Sequence, residues 1–207
     1  MLTVNDWISP WWQAVLLPDE WDVCGITVPS LSVWHTFALE NIGNRYLCGG
    51  SCDRDDAAGL LLFAKHDMAG GRRLMQPQSV NFRKRETISI YRTIKAMEWA
   101  DVNAACFEYV DTCTRAAGRW TKQGDSVKPS GVPYQFHIVR AVAPLLNGAI
   151  GADGKPCTNL DVAWNMPYPT ARSYYDAYAE SKGDDSILSL DAQQISDAPD
   201  EPKKEVA

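Results

Sequence analysis

The residues of this sequence able to do chemistry by type are six cysteines, at positions 24, 48, 52, 106, 113 and 157, and three histidines, His35, His66 and His137. Cys48-Gly-Gly-Ser-Cys52 could supply two metal ligands, with Cys24 and a histidine completing a tetrahedron. No second closely spaced cysteine pair supports that arrangement, so unliganded thiols are expected and no metal is assigned. Cys106 and Cys113 lie seven apart and share a helix face two turns apart, too distant to bond. Cys113 has no histidine beside it, and none of the three histidines forms a His-x-x-x-His or Glu-x-x-His pair. Asp53, Asp55 and Asp56 suit a helix N-terminus, and Asp184-Asp185 follows a glycine; neither cluster alternates as a calcium loop does. Gly49-Gly50 and Gly70-Gly71-Arg72-Arg73 lack the Lys-Ser/Thr ending of a phosphate-cradling loop. The expectation is a protein with no catalytic residues and no cofactor.

Composition points the same way. A 207-residue chain can bury roughly 70% of its unfolded surface without staples. Its 45% apolar content is that of a globular protein, and its 14 glycines and 12 prolines follow no period. Eight tryptophans raise the weight of an interaction role, because large aromatics anchor interfaces. A net charge of −6 argues against nucleic acid as a partner. The one basic run, Arg83-Lys84-Arg85 extended by Arg92 and Lys95, reads as a solvated corner. No window carries enough uninterrupted apolar residues to cross a membrane, and Asn5 and Asp6 stand where a signal peptide would be basic and then apolar. A cytoplasmic protein with reduced cysteines and no membrane partner is therefore expected.

The elements that must position these residues are mostly helical. Trp21 to Pro29 alternates around a turn at Gly25, giving a short hairpin or an extended arm at the N-terminus. Ser30 is expected to cap a first helix carrying Leu31, Trp34, Leu39 and Ile42, which ends at Gly43. A second, nearly all-apolar helix follows Asp53 and runs towards a stop at Gly70-Gly71. Gly59 inside it suggests a closely crossing neighbour. Glu86 to Trp120 keeps helical periodicity, with a break near Ala100-Asp101, and Thr121 to Gly131 is a polar loop. Another helix is expected from Pro133 to Leu146, tightened by Pro144, before a turn at 151–156 and a cap from Thr158 and Asp161. Trp164 sits on a short turn, and Tyr168 to Lys182 forms a last helix ended by Gly183. The expected fold class is mainly α: a small irregular helical bundle in one domain, residues 1–183, with a mostly disordered polar tail over 184–207.

Three blocks carry a family resemblance. They are Val28-Pro-Ser-Leu-Ser-Val-Trp-His-Thr-Phe-Ala-Leu-Glu40, Asp55-Asp-Ala-Ala-Gly-Leu-Leu-Leu-Phe-Ala64, and Trp164-Asn-Met-Pro167 leading through Ala171 and Tyr174-Tyr175 to Glu180 and Gly183. In order and texture the chain resembles the tail assembly chaperones of long-tailed bacteriophages and prophages. The resemblance implies a mainly helical, non-enzymatic protein of the host cytoplasm, absent from the mature virion. Its partners would be the tape measure protein and the major tail protein, with self-association as well. A frameshifted longer product is a further property of many such proteins.

A physical role fits that resemblance. An unassembled tape measure helix exposes an apolar stripe, and a helical groove carrying Trp34, Phe37, Trp164, Tyr174, Tyr175 and Tyr178 could cover it reversibly. The competing expectations are a structural or scaffolding protein retained in the virion, using the same aromatic surfaces permanently, and a small cytoplasmic enzyme.

Overall fold

The computed structural model describes residues 17–114, 119–121, 132–146, 159–181 and 187–189. It shows a mainly helical bundle with a β-hairpin near the N-terminus. Strands β1 (Glu20–Val23) and β2 (Ile26–Pro29) pair antiparallel with Val23 opposite Ile26. Cys24 and Gly25 make the two-residue turn at φ 57° and 73°, the left-handed pair that a tight hairpin requires. Helices α1 (Val33–Asn41), α2 (Arg45–Cys48), α3 (Arg54–Ala64), α4 (Met68–Met75), α5 (Val80–Lys95) and α6 (Trp99–Thr114) follow. After strand β3 (Arg119–Thr121) come α7 (Tyr134–Val142), α8 (Asn159–Asn165), α9 (Tyr168–Ser181) and strand β4 (Ile187–Ser189).

Helix α3 is the centre of the larger apolar cluster. Ala57, Ala58 and Leu60 to Ala64 are all buried, and the helix packs on α1, α2, α5, α6 and β2. Each leucine fully removed from water stabilises the fold by roughly 1.5–3 kcal/mol, so this helix fixes the arrangement of those around it. Its N-terminus is closed by a capping box in which Asp53 accepts from the Asp55 and Asp56 N–H groups and Asp56 accepts from the Asp53 N–H. A second cluster joins Val33, Ile138, Val139, Val142, Ala163 and Ala171, uniting α1, α7, α8 and α9. Trp164 packs against both clusters.

Several expectations are corrected. The cap of α1 is Ser32, not Ser30; the Ser30 hydroxyl instead accepts from Trp21 Nε1 and donates to the Pro18 carbonyl. Gly70-Gly71 does not stop a helix. Asp67 accepts from the Gly70 N–H and starts α4, which runs through both glycines. Gly71 is there for closeness: a Cβ would stand 2.6 Å from Trp34 Nε1. Gly59 marks no close crossing, since a Cβ there would meet Asn44 Nδ2 at an ordinary 3.5 Å.

The long helical stretch is two helices, broken at 96–98 and not at Ala100-Asp101. Arg54 donates to the carbonyls of Ile94 and Met97 and stacks 5.5 Å over Trp99, so a side chain from α3 satisfies the groups the break releases. Trp120 lies in β3, outside that helix, and β3 pairs antiparallel with β4. Residues 187–189 are thus a strand within the expected tail; its other residues, the turn at 151–156 and Thr158 lie outside the described residues. Trp164 belongs to helix α8 and not to a turn. Pro144 sits in a 3-10 turn, Ala143–Leu145, closing α7.

Candidate functional site

Where α1, α7 and α8 meet, three aromatic rings form a triangle. Phe37 and Phe136 stand edge-to-face at 5.4 Å, Phe136 and Trp164 edge-to-face at 5.1 Å, and Phe37 and Trp164 at 5.5 Å. Phe136 is 44% exposed, while Phe37 and Trp164 are half-buried. Leu160, one turn before Trp164 on α8, is also exposed. The result is an apolar ledge on rigid elements, with rings whose edges and faces already interlock.

The ledge is supported from below. Trp34 tilts against Phe37 at 6.1 Å but is itself only 7% exposed, so it forms the floor of the ledge and touches a partner little. Backbone pairing locks α8 and α9 to α1: the Val33 N–H donates to the Met166 carbonyl at 3.1 Å, and the Tyr168 N–H to the Leu31 carbonyl at 2.8 Å. Asn165 reaches the other way, accepting from the Met68 N–H at 2.9 Å and so occupying a first-turn donor of α4. The block Trp164-Asn-Met-Pro167 therefore ties these helices together and holds its tryptophan, half-buried, in the triangle. Between α7 and α1, the buried Gln135 donates to Glu40 at 2.8 Å.

The tyrosines form a separate group on α9. Tyr175 stands edge-to-face with Tyr134 at 5.4 Å, and Tyr175 and Tyr178 join His137, Arg140 and Ala141 around an open depression of about 280 Å³ between α7 and α9. Tyr174 is 52% exposed and has no ring contact among the described residues. Behind them Arg172 stacks 4.6 Å over Tyr134 and pairs with the buried Asp176 at 2.9 Å. Of the six residues singled out in the sequence, Trp34, Phe37 and Trp164 come together, Tyr175 and Tyr178 line the neighbouring depression, and Tyr174 stands apart. Phe136, which completes the triangle, is not among those six. Its signal was an aromatic two positions from the buried Ile138, hence across the helix from the core.

His35 and the buried cysteines are held as structural groups. His35 is 3% exposed; its Nδ1 accepts from the Ser32 N–H at 2.9 Å, so Nε2 carries the proton and donates to the His66 carbonyl at 2.7 Å. Ser32 Oγ lies 3.0 Å from His35 Nδ1, yet both are buried and the pair serves as the capping box of α1. Burial lowers the pKa of His35 and, less completely covered, that of His66. Burial pushes the Cys106 thiol up to about 12 and Cys113 to about 11, which keeps both protonated and unreactive near neutrality. Cys24 and Cys52 are raised by the same cause. Among the described residues no group of three His, Cys, Asp or Glu side chains is placed to hold a metal, and no helix is long and apolar enough to cross a membrane.

Known protein families, curated proteins and solved structures were each compared with the chain, and none matches it.

Proposed function

We propose that the protein is a non-enzymatic assembly chaperone of a phage tail, which covers the apolar stripe of a tape measure helix until the tail tube grows around it. The observation that carries this reading is the exposed ledge of Phe37, Phe136 and Trp164, with Leu160 beside it. It presents several large apolar side chains on three helices fixed to one another, a preorganised surface of the kind an amphipathic helix occupies through anchors one and two turns apart. The neighbouring depression between α7 and α9, lined by Tyr175 and Tyr178, extends the surface with groups that combine an apolar ring and a polar tip. The same proposal includes recruitment of the major tail protein and release of the client as the tube grows.

Co-expression with a tape measure fragment tests the proposal. Soluble fragment should rise in the presence of the protein and co-purify with it, and Phe136→Ala should reduce both. Fragment that stays insoluble, or that co-purifies equally well with Phe136→Ala and Trp164→Ala, overturns it.

A further inference from the structure

Between Ala69 and Lys95 this chain of net charge −6 carries seven Lys and Arg residues and one carboxylate, Glu86. Glu86 is taken by Lys65 at 3.0 Å, and Arg83 donates to the Leu74 carbonyl at 2.9 Å. The other six, Arg72 and Arg73 at the end of α4 and Lys84, Arg85, Arg92 and Lys95 on α5, are exposed. None of them forms an ion pair among the described residues. At 3.6 residues per turn, the four on α5 fall within an arc of about 100° and along about 16 Å of helix. Ile88 lies inside that arc and is 42% exposed. An isoleucine in the middle of a cationic face is out of place for a surface that only meets water or phosphate.

Helix α6, joined to α5 by the corner at 96–98, has the opposite character. Asp101, Ala104 and Glu108 are exposed at spacings of three and four, which makes a stripe about 10 Å long. Glu98 stands just before it, and the exposed Phe107 lies beside it. The hairpin that packs on α6 adds the exposed Glu20 and Asp22. Glu98, Asp101 and Glu108 form no ion pair among the described residues either.

We propose that the basic face of α5 in one molecule docks on the acidic face of α6 in a second copy of the same chain. The two faces are opposite in charge, and each places apolar side chains among its charges, Ile88 on one and Ala104 with Phe107 on the other. Every copy carries both halves, so the contact can be made twice across a two-fold axis or repeated head to tail. A polyphosphate would match the cations but would leave Ile88 and the whole acidic face unmatched. This surface is separate from the aromatic ledge, and its test is independent of the client.

The experiment is sedimentation velocity on the full chain at rising concentration, in about 0.1 M and about 1 M salt, where the screening length falls from about 10 Å to about 3 Å. The wild type should associate at low salt, with a dissociation constant at least about tenfold weaker at high salt. Lys84→Glu/Arg92→Glu should be monomeric, and so should Asp101→Lys/Glu108→Lys, with unchanged circular dichroism, since all four positions are exposed. An equimolar mixture of the two variants should associate again, because each supplies the face the other needs. A wild type that stays monomeric, variants that associate as it does, or a mixture that does not recover overturns the proposal. So does a monomeric wild type that binds a labelled oligonucleotide through Lys84 and Arg92, which would give the α5 face to polyphosphate.

Discussion

Replacing Gly71 by alanine puts the support beneath the ledge to a direct test. A Cβ at this position would stand 2.6 Å from Trp34 Nε1 and 3.0 Å from Cε2 and Cζ2, where ordinary contact begins near 3.4 Å. The indole is a rigid plate held by Phe37 on one side and the buried core on the other, so it cannot swing aside as a flexible side-chain end would. Overpacking of this kind costs about 1–3 kcal/mol. In a helix interior the same exchange, without a clash, stabilises by about 1 kcal/mol. The two together predict a net loss of up to about 2 kcal/mol for Gly71→Ala, read as a lower midpoint in urea unfolding followed by circular dichroism. Trp34→Ala removes the whole indole, so Gly71→Ala in that background should be neutral or stabilising, a coupling of about 1–3 kcal/mol. The near-ultraviolet spectrum of Gly71→Ala should also change, because Trp34 carries Phe37. A Gly71→Ala protein as stable as the wild type or more so, with an unchanged aromatic spectrum, would refute this packing.

Three further outcomes follow from the same geometry. Gly59→Ala meets only an ordinary contact at Asn44 and should raise stability by about 0.5–1 kcal/mol, again by urea unfolding. Arg54→Met removes the donors to the Ile94 and Met97 carbonyls and should cost about 1.5–3 kcal/mol, with Arg54→Lys recovering little because a single ammonium cannot span both. His35 is held neutral, its pKa lowered by burial from an ordinary 6.5, so below that pH the unfolded chain takes up a proton that the folded chain refuses. Stability should therefore fall as pH drops from 6.5 towards the folded pKa, by at most about 1.4 kcal/mol per pH unit for this group. His35→Gln should be less stable at neutrality but flatter with pH, the residual slope coming from His66, which burial lowers too.

What could be read in the sequence was whatever local chemistry decides. The Trp21 to Pro29 hairpin follows from its alternation and from Gly25, α3 from Asp53 followed by an apolar run, and α9 from two prolines and a tyrosine-bearing helical period. The misses share a cause, a partner distant in sequence. The break between α5 and α6 is stabilised by Arg54, some forty residues earlier, so its place a few residues before the expected Ala100-Asp101 has no local signal. Gly70-Gly71 looks like a terminator until Trp34 is known to rest on it. Asn165 looks like a loop residue until it meets the first turn of α4. For the site, residue type singled out Trp34, Phe37 and Trp164, and the fold brings them together. The separation of the tyrosines from them, the burial of Trp34 and the part played by Phe136 depend on how α7 is rotated against α1 and α9, which composition does not encode.

The proposed role of the ledge as a client-binding surface is tested most directly by titration of a labelled tape measure segment, followed by fluorescence anisotropy. Wild-type protein should bind in a saturable way, and Phe136→Ala, shown to be folded by circular dichroism, should weaken binding by about 1–2 kcal/mol, roughly five- to thirtyfold. A segment bound equally well by wild type and Phe136→Ala, or not bound by the wild type at all, would contradict the account.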